Sequence, residues 1–172
     1  IISYVNLLVI MTMIGITQGM QPLVSYYLGK ADLISCRKFF KLALMMVSFV
    51  LIFVCYVSFF KTDAIVSAFI GIEDASLFSY STKSFRIFSL SFLIVGFNIL
   101  ISGYFVAVEK PFEAIIISLS RGLFALIIVL KLMVYLFGDF GIWISPLVSE
   151  SVVFVISLIF ILNYRRKNSM MN

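Results

Sequence analysis

Five long apolar runs, separated by short polar breaks, organise this chain of 172 residues. They fall at approximately 2–28, 39–60, 85–107, 112–137 and 142–164. At the rise of an α-helix each run spans about 33 Å or more, enough to cross a hydrocarbon layer of about 30 Å. A barrel strand would alternate polar and apolar residues, whereas KLALMMVSFVLIFVCYVSFF is apolar on every side of a helix. The pattern predicts an all-α membrane protein, a polytopic bundle of about five transmembrane helices. Residues 61–84 form the longest expected connection, with DAIVSAFIGI inside it read as a short helix lying on the bilayer surface. Ser145 and Pro146 suit an N-cap and first helical position, which would start the last helix there and leave Trp143 at the outer interface. An apolar run starts at Ile1, with no basic segment or small-residue cleavage site as in a signal peptide, so the chain reads as truncated at its front.

Polar groups inside the runs are the candidate chemistry. GITQGMQPLVSYYLGK, residues 15–30, places Gln18, Gln21 and Pro22 in a membrane-length segment. Pro22 lacks an N–H and so frees the carbonyl of Gln18, next to two side-chain amides. Such a face lines either a watery cavity or a contact with neighbouring helices that satisfies the kink. Gly15 and Gly19 form a GxxxG pair, which suits close helix packing. Gly29 is the expected end of the first helix. Asn98, midway along the third run, is equally a helix-to-helix clasp or a substrate contact. Arg121 and Glu150 lie about 15 Å and 20 Å along their helices from the same end, at matching depths, so a pair between adjacent antiparallel helices is expected. Snorkelling of Arg121 to the interface is the alternative.

Charge then orients the bundle. One side carries eight basic residues: Lys30, Arg37, Lys38, Lys41, Lys110, Arg165, Arg166 and Lys167. The other carries four: Lys61, Lys83, Arg86 and Lys131. The positive-inside rule therefore places the 29–41 loop and the C-terminal tail in the cytoplasm of a multi-pass cell-membrane protein. The net charge of +5 follows from that rule, and no soluble basic surface is present for nucleic acid. Composition agrees: 63% of residues are hydrophobic, 12% are charged, and mean hydropathy is +1.18. Histidine is absent, which removes the commonest general acid/base and a leading metal ligand. Cys36, expected in the cytoplasmic loop, and Cys55, within the second run, read as unpaired thiols.

The run QGMQPLVSYYLGK, followed by CRKFFK and a new apolar helix, resembles the multidrug and toxic compound extrusion (MATE) family. YFVAVEKPFEAIIISLSR is similar to that family's connection between its tenth and eleventh helices, and GDFGIWISPLVSE to the entry of its twelfth. The resemblance implies a fold of twelve helices in two lobes around a central cavity. Residues 1–172 would be a partial C-terminal lobe, helices eight to twelve, with the N-terminal lobe as a missing partner. It implies exchange of a drug-like, often cationic small molecule for Na⁺ or H⁺, with no bound cofactor. Gln18, Gln21, Pro22, Arg121 and Glu150 carry over as cavity or interface candidates. Tyr27 and Lys30 depart from the residues associated with the loop glycine. The tenth-helix counterpart carries Asn98 and no carboxylate before Glu109, so a coupling acid is expected in the missing lobe.

A secondary active exporter is the leading expectation. A lipid-linked saccharide flippase of the same superfamily would call for more cationic residues than Arg121, and a non-transporting membrane subunit remains a further alternative. A lipid-modifying enzyme needs convergent titratable groups that the chain lacks, so no catalytic, cofactor or metal-binding residue is expected.

Overall fold

A computed structural model describes residues 1–69 and 75–169. Among them every regular element is helical: α1 (Ile2–Gly29), α2 (Leu33–Phe60), α3 (Thr62–Ser67), α4 (Ala75–Ser89), α5 (Phe92–Ala107), α6 (Pro111–Leu119), a π-helical turn (Ser120–Phe124), α7 (Ala125–Phe137) and α8 (Asp139–Ser169). Among the described residues five spans are long and apolar enough to cross a membrane: α1, α2, α4 with α5, α6 through α7, and α8. Their order matches the five apolar runs. Their ends differ in ways the local chemistry explains.

The first correction concerns the loop after α1. Helix α2 begins at Leu33, six residues before the apolar run, because Asp32 caps it. The Asp32 carboxylate accepts from the Ser35 amide at 2.9 Å and from the Ser35 hydroxyl at 2.6 Å. Arg37, Lys38 and Lys41 therefore ride on the opening turns of α2 rather than in a loop. Cys36 is buried there, its thiol donating to the Val24 carbonyl at 3.4 Å. Gly29 is the last residue of α1 but not its left-handed terminator. That role falls to Ala31, with φ of 57°, while the Asp32 and Ala31 amides donate back to the carbonyls of Tyr27 and Leu28. The same pattern closes α5, where Glu109 has φ of 59° and the Lys110 and Glu109 amides donate to Phe105 and Val106.

The 61–84 connection is also more ordered than its composition suggests. Thr62–Ser67 is helical, so the helix expected over 63–72 is present in its first half; Ala68 and Phe69 form a turn, and 70–72 lie outside the described residues. Helix α4 then begins ten residues before the third apolar run and leads into α5 through a break at Leu90–Ser91. The hydroxyls of Ser89 and Ser91 donate to the carbonyls of Arg86 and Phe88, three residues back, which competes with regular helical bonding there.

The last helix does not begin at Ser145 and Pro146. It starts at Asp139, and Pro146 lies inside it. The carbonyl that a proline at 146 leaves without an amide partner is that of Ile142, and the Ser145 hydroxyl donates to it at 2.9 Å. An apparent helix-start signal thus acts as a repair inside a continuous helix.

The core is centred on α5, which packs against α1, α2, α6 and α8. Its close approach to α1 and α2 depends on two glycines. A Cβ at Gly96 would meet Met13 Sδ at 2.7 Å and Leu51 Cδ1 at 2.9 Å, and one at Gly103 would run into Thr17. Gly15 and Gly19, the expected packing pair, have nothing within 4 Å of a built Cβ. Instead they line a shallow apolar groove between α1 and α2. Large apolar side chains, including Leu8, Phe49, Phe53 and Tyr135, cover the outside of the bundle. An apolar exterior on five membrane-length helices describes a multi-pass membrane protein.

Candidate functional site

The polar residues of α5, α8 and the π-helical turn meet in one cluster. Asn98 is fully buried on α5. Its amide nitrogen donates to the Glu150 carboxylate at 2.7 Å and to the Glu150 backbone carbonyl at 3.0 Å. Its carbonyl oxygen accepts from the Ser157 hydroxyl at 3.2 Å. Glu150 and Ser157 are seven residues apart on α8 and so share a face. Among the described residues the Asn98 side chain bonds only to α8, and so locks α5 to one stripe of it.

Arg121 completes the cluster from the other side. Its Nε lies 3.5 Å from Glu150 Oε1, with 25% of the Arg121 side chain and 12% of the Glu150 side chain exposed. The expected pairing of these residues is present in the geometry. The contact is long for a charge-assisted bond, which falls near 2.7–2.9 Å, so the guanidinium keeps donor capacity to spare. Arg121 sits on a turn where the Ala125 amide reaches back to the Ser120 carbonyl, five residues earlier. Such π-turns alter the facing of side chains beyond them and recur at functional sites.

The cluster borders a cleft of about 290 Å³. Arg121, Glu150, Ser149, Ser91, Asn6 and Ile10 are among its lining residues, so α1, the α4–α5 break, the π-turn and α8 all contribute. A carboxylate with one short partner and one long one can accept a proton or a cation at Oε1. A guanidinium with free N–H groups can in turn hold an anionic group. Among the described residues no group of three metal-ligating His, Cys, Asp or Glu side chains forms.

The remaining sequence candidates lie elsewhere. Gln21 donates to the Gly103 carbonyl at 3.2 Å, and Ser25, one turn on, donates to the Ala107 carbonyl at 3.1 Å. These bonds clasp α1 to α5, the helix-contact reading of that amide. Gln18 and Pro22 are on exposed surface, and neither borders the Arg121–Glu150 cleft. Asn6, Ser91, Ser149 and Ser157 were not legible in advance, because single small polar residues are common in apolar helices. The spacing of Glu150 and Ser157 was the available signal for one of them.

The family model MatE matches residues 1–138, most of the chain. The chain belongs to the MatE family. No curated protein matches it. A solved structure titled "Inward-facing conformation of a multidrug resistance MATE family transporter of the MOP superfamily" superposes with a TM-score of 0.87 at 13% identity, over 99% of this chain. At that identity the likeness establishes the fold. The MatE chain spans 39% of the length of the solved transporter.

Proposed function

We propose that this MatE-family chain forms part of a secondary active exporter, which moves drug-like, often cationic compounds out of the cell in exchange for Na⁺ or H⁺. Family membership and the transporter-like fold support transport as the activity, in place of an enzymatic role. The chain acts as a partial C-terminal lobe, and an N-terminal lobe supplies the facing half of the pathway. Rocking of the two lobes exposes the site alternately to each side of the membrane. The basic ends of α1, α2 and α8 face the cytoplasm.

The observation that carries this reading is the Glu150 carboxylate, held by Asn98 and Arg121 at the edge of a cleft. A charged side chain at membrane depth costs at least about 2.5 kcal/mol unless paired or hydrated, and marks an ion or substrate pathway by default. Helix α5 itself lacks a carboxylate at Asn98, but Glu150 brings one to the same place from α8. Arg121 acts as a tethered cation that a proton, Na⁺ or cationic cargo displaces from Oε1. Export of a lipid-linked pyrophosphate fits less well, since the cleft offers one guanidinium already facing a carboxylate.

The test is dye export from vesicles holding the protein, with Na⁺ and pH gradients imposed separately. Glu150→Gln is expected to abolish gradient-driven export while the protein still inserts normally. Export that proceeds at the original rate and with the same ion dependence removes the proposal.

A further inference from the structure

A second candidate site lies toward the opposite end of the bundle from the basic loops, centred on α4 and the start of α8. Lys83 and Arg86, three residues apart on α4, stand on one helix face and are both exposed. Among the described residues neither has a carboxylate within 4.0 Å, Arg121–Glu150 being the ion pair found there. The guanidinium of Arg86 lies 5.6 Å from the centre of the Phe59 ring. Beneath the two cations is a cavity of about 450 Å³. Phe59, Ile87, Leu90, Phe140 and Trp143 give it an apolar body, and Asp139 stands on its rim. The Trp143 indole donates to the Tyr80 hydroxyl at 3.0 Å, which fixes the wall shared by α4 and α8. A neighbouring cavity of about 530 Å³ shares Tyr80, Ser84 and Trp143 and extends the apolar surface along Leu77, Phe85, Phe88 and Ile142.

We propose that this is a seat for an anionic phospholipid: its phosphodiester rests between Lys83 and Arg86, and its acyl chains fill the two apolar cavities. Three observations converge on that occupant. Among the described residues lining the cavity, the two cations and the Asp139 carboxylate leave a charge of one positive unit, the complement of a single phosphodiester. The polar rim and oily floor match a molecule that is charged at one end and hydrocarbon at the other. Tyr80 and Trp143, joined by a hydrogen bond near the start of their membrane-length helices, are the amphipathic aromatic types that gather at the level of lipid head groups. A soluble phosphate would leave the apolar floor empty, and an uncharged hydrocarbon would leave both cations without a partner.

Trp143 is the only tryptophan in the chain, so the site carries its own probe. The protein is placed in lipid nanodiscs containing a small fraction of lipid with brominated acyl chains, which quench tryptophan on contact. Brominated phosphatidylglycerol is expected to quench Trp143 more than brominated phosphatidylcholine at equal fraction, with a preference of about fivefold for one net charge near the surface. Lys83→Gln with Arg86→Gln is expected to erase the preference and leave quenching by phosphatidylcholine unchanged. Raising salt to about 1 M, where the Debye length is about 3 Å, is expected to weaken the preference in the unaltered protein, which serves if the double variant folds poorly. Equal quenching by both lipids overturns the proposal. So does a preference that survives both the double variant and high salt, or one abolished by inorganic phosphate at low millimolar concentration, which would mean a free-anion site.

Discussion

Asn98, Arg121 and Glu150 illustrate how a buried polar residue in a membrane helix gains a role from its partners. Asn98 alone was compatible with a clasp or a substrate contact, and it proves to bridge α5 to α8 through the carboxylate that Arg121 also faces. Arg121→Glu and Glu150→Arg should each lower the amount of folded protein in the membrane, and the double swap should recover part of the loss. The coupling expected for a partly hydrated pair is about 1 kcal/mol, measured by a double-mutant cycle on thermal stability in detergent. Ala31 and Glu109 make the opposite case, residues held in a conformation that suits glycine. Ala31→Gly and Glu109→Gly should each raise stability by about 1 kcal/mol, since a left-handed residue with a Cβ carries a cost of that order. Thermal unfolding of each variant reads the effect directly.

At the level of the element, small residues matter where a neighbour comes close, and a sequence pattern does not reveal that. Gly15 and Gly19 had the familiar spacing, but Gly96 and Gly103 have the neighbours. Gly103→Val should destabilise by about 1–3 kcal/mol through overpacking between α1 and α5. Gly15→Ala and Gly19→Ala should leave thermal stability of the chain within about 0.5 kcal/mol, or raise it slightly through helix propensity. A second element-level feature is the start of α2. The Ser35 hydroxyl, followed by the Ser35 amide, holds the Asp32 carboxyl below its ordinary value. A depressed carboxylate contributes stability that is complete above its unfolded value and lost as pH falls through the folded one. The first turn of α2 should therefore fray in acid, below about pH 4, seen as lower protection of the Ser35 amide against hydrogen exchange relative to its intrinsic rate at the same pH. Asp32→Asn should remove that pH dependence and keep most of the cap, because asparagine also accepts at an N-cap.

For the whole molecule, the bundle departs from the usual arrangement of soluble proteins by exposing many large apolar side chains, while others such as Phe85, Phe92 and Phe105 stay buried. The chain spans 39% of the length of the solved transporter whose fold it shares. The proposed orientation has a direct test. With Cys36 and Cys55 replaced by Ala, a single cysteine at Lys61 should react with an impermeant thiol reagent added to intact cells, and one at Lys30 should react only after the membrane is opened. The reverse pattern would invert the bundle and move the proposed lipid seat to the inner leaflet.

The apolar runs alone fixed five membrane crossings, because hydrocarbon demands about 20 apolar residues per helix and leaves no other open-ended backbone solution. The depths of Arg121 and Glu150 could also be counted from the sequence, since helical rise is constant. Tertiary structure decided what counting cannot reach. It extended α2 and α4 beyond the oily runs through capping and helical continuation, turned Ser145 from a cap into a repair for Pro146, and sent Gln21 into a clasp while leaving Gln18 outside. It also brought Asn98 and Ser157 to Glu150, and Lys83 and Arg86 to Trp143. Those meetings depend on the rotation of one helix about its axis against another, which packing sets and a one-dimensional pattern leaves open.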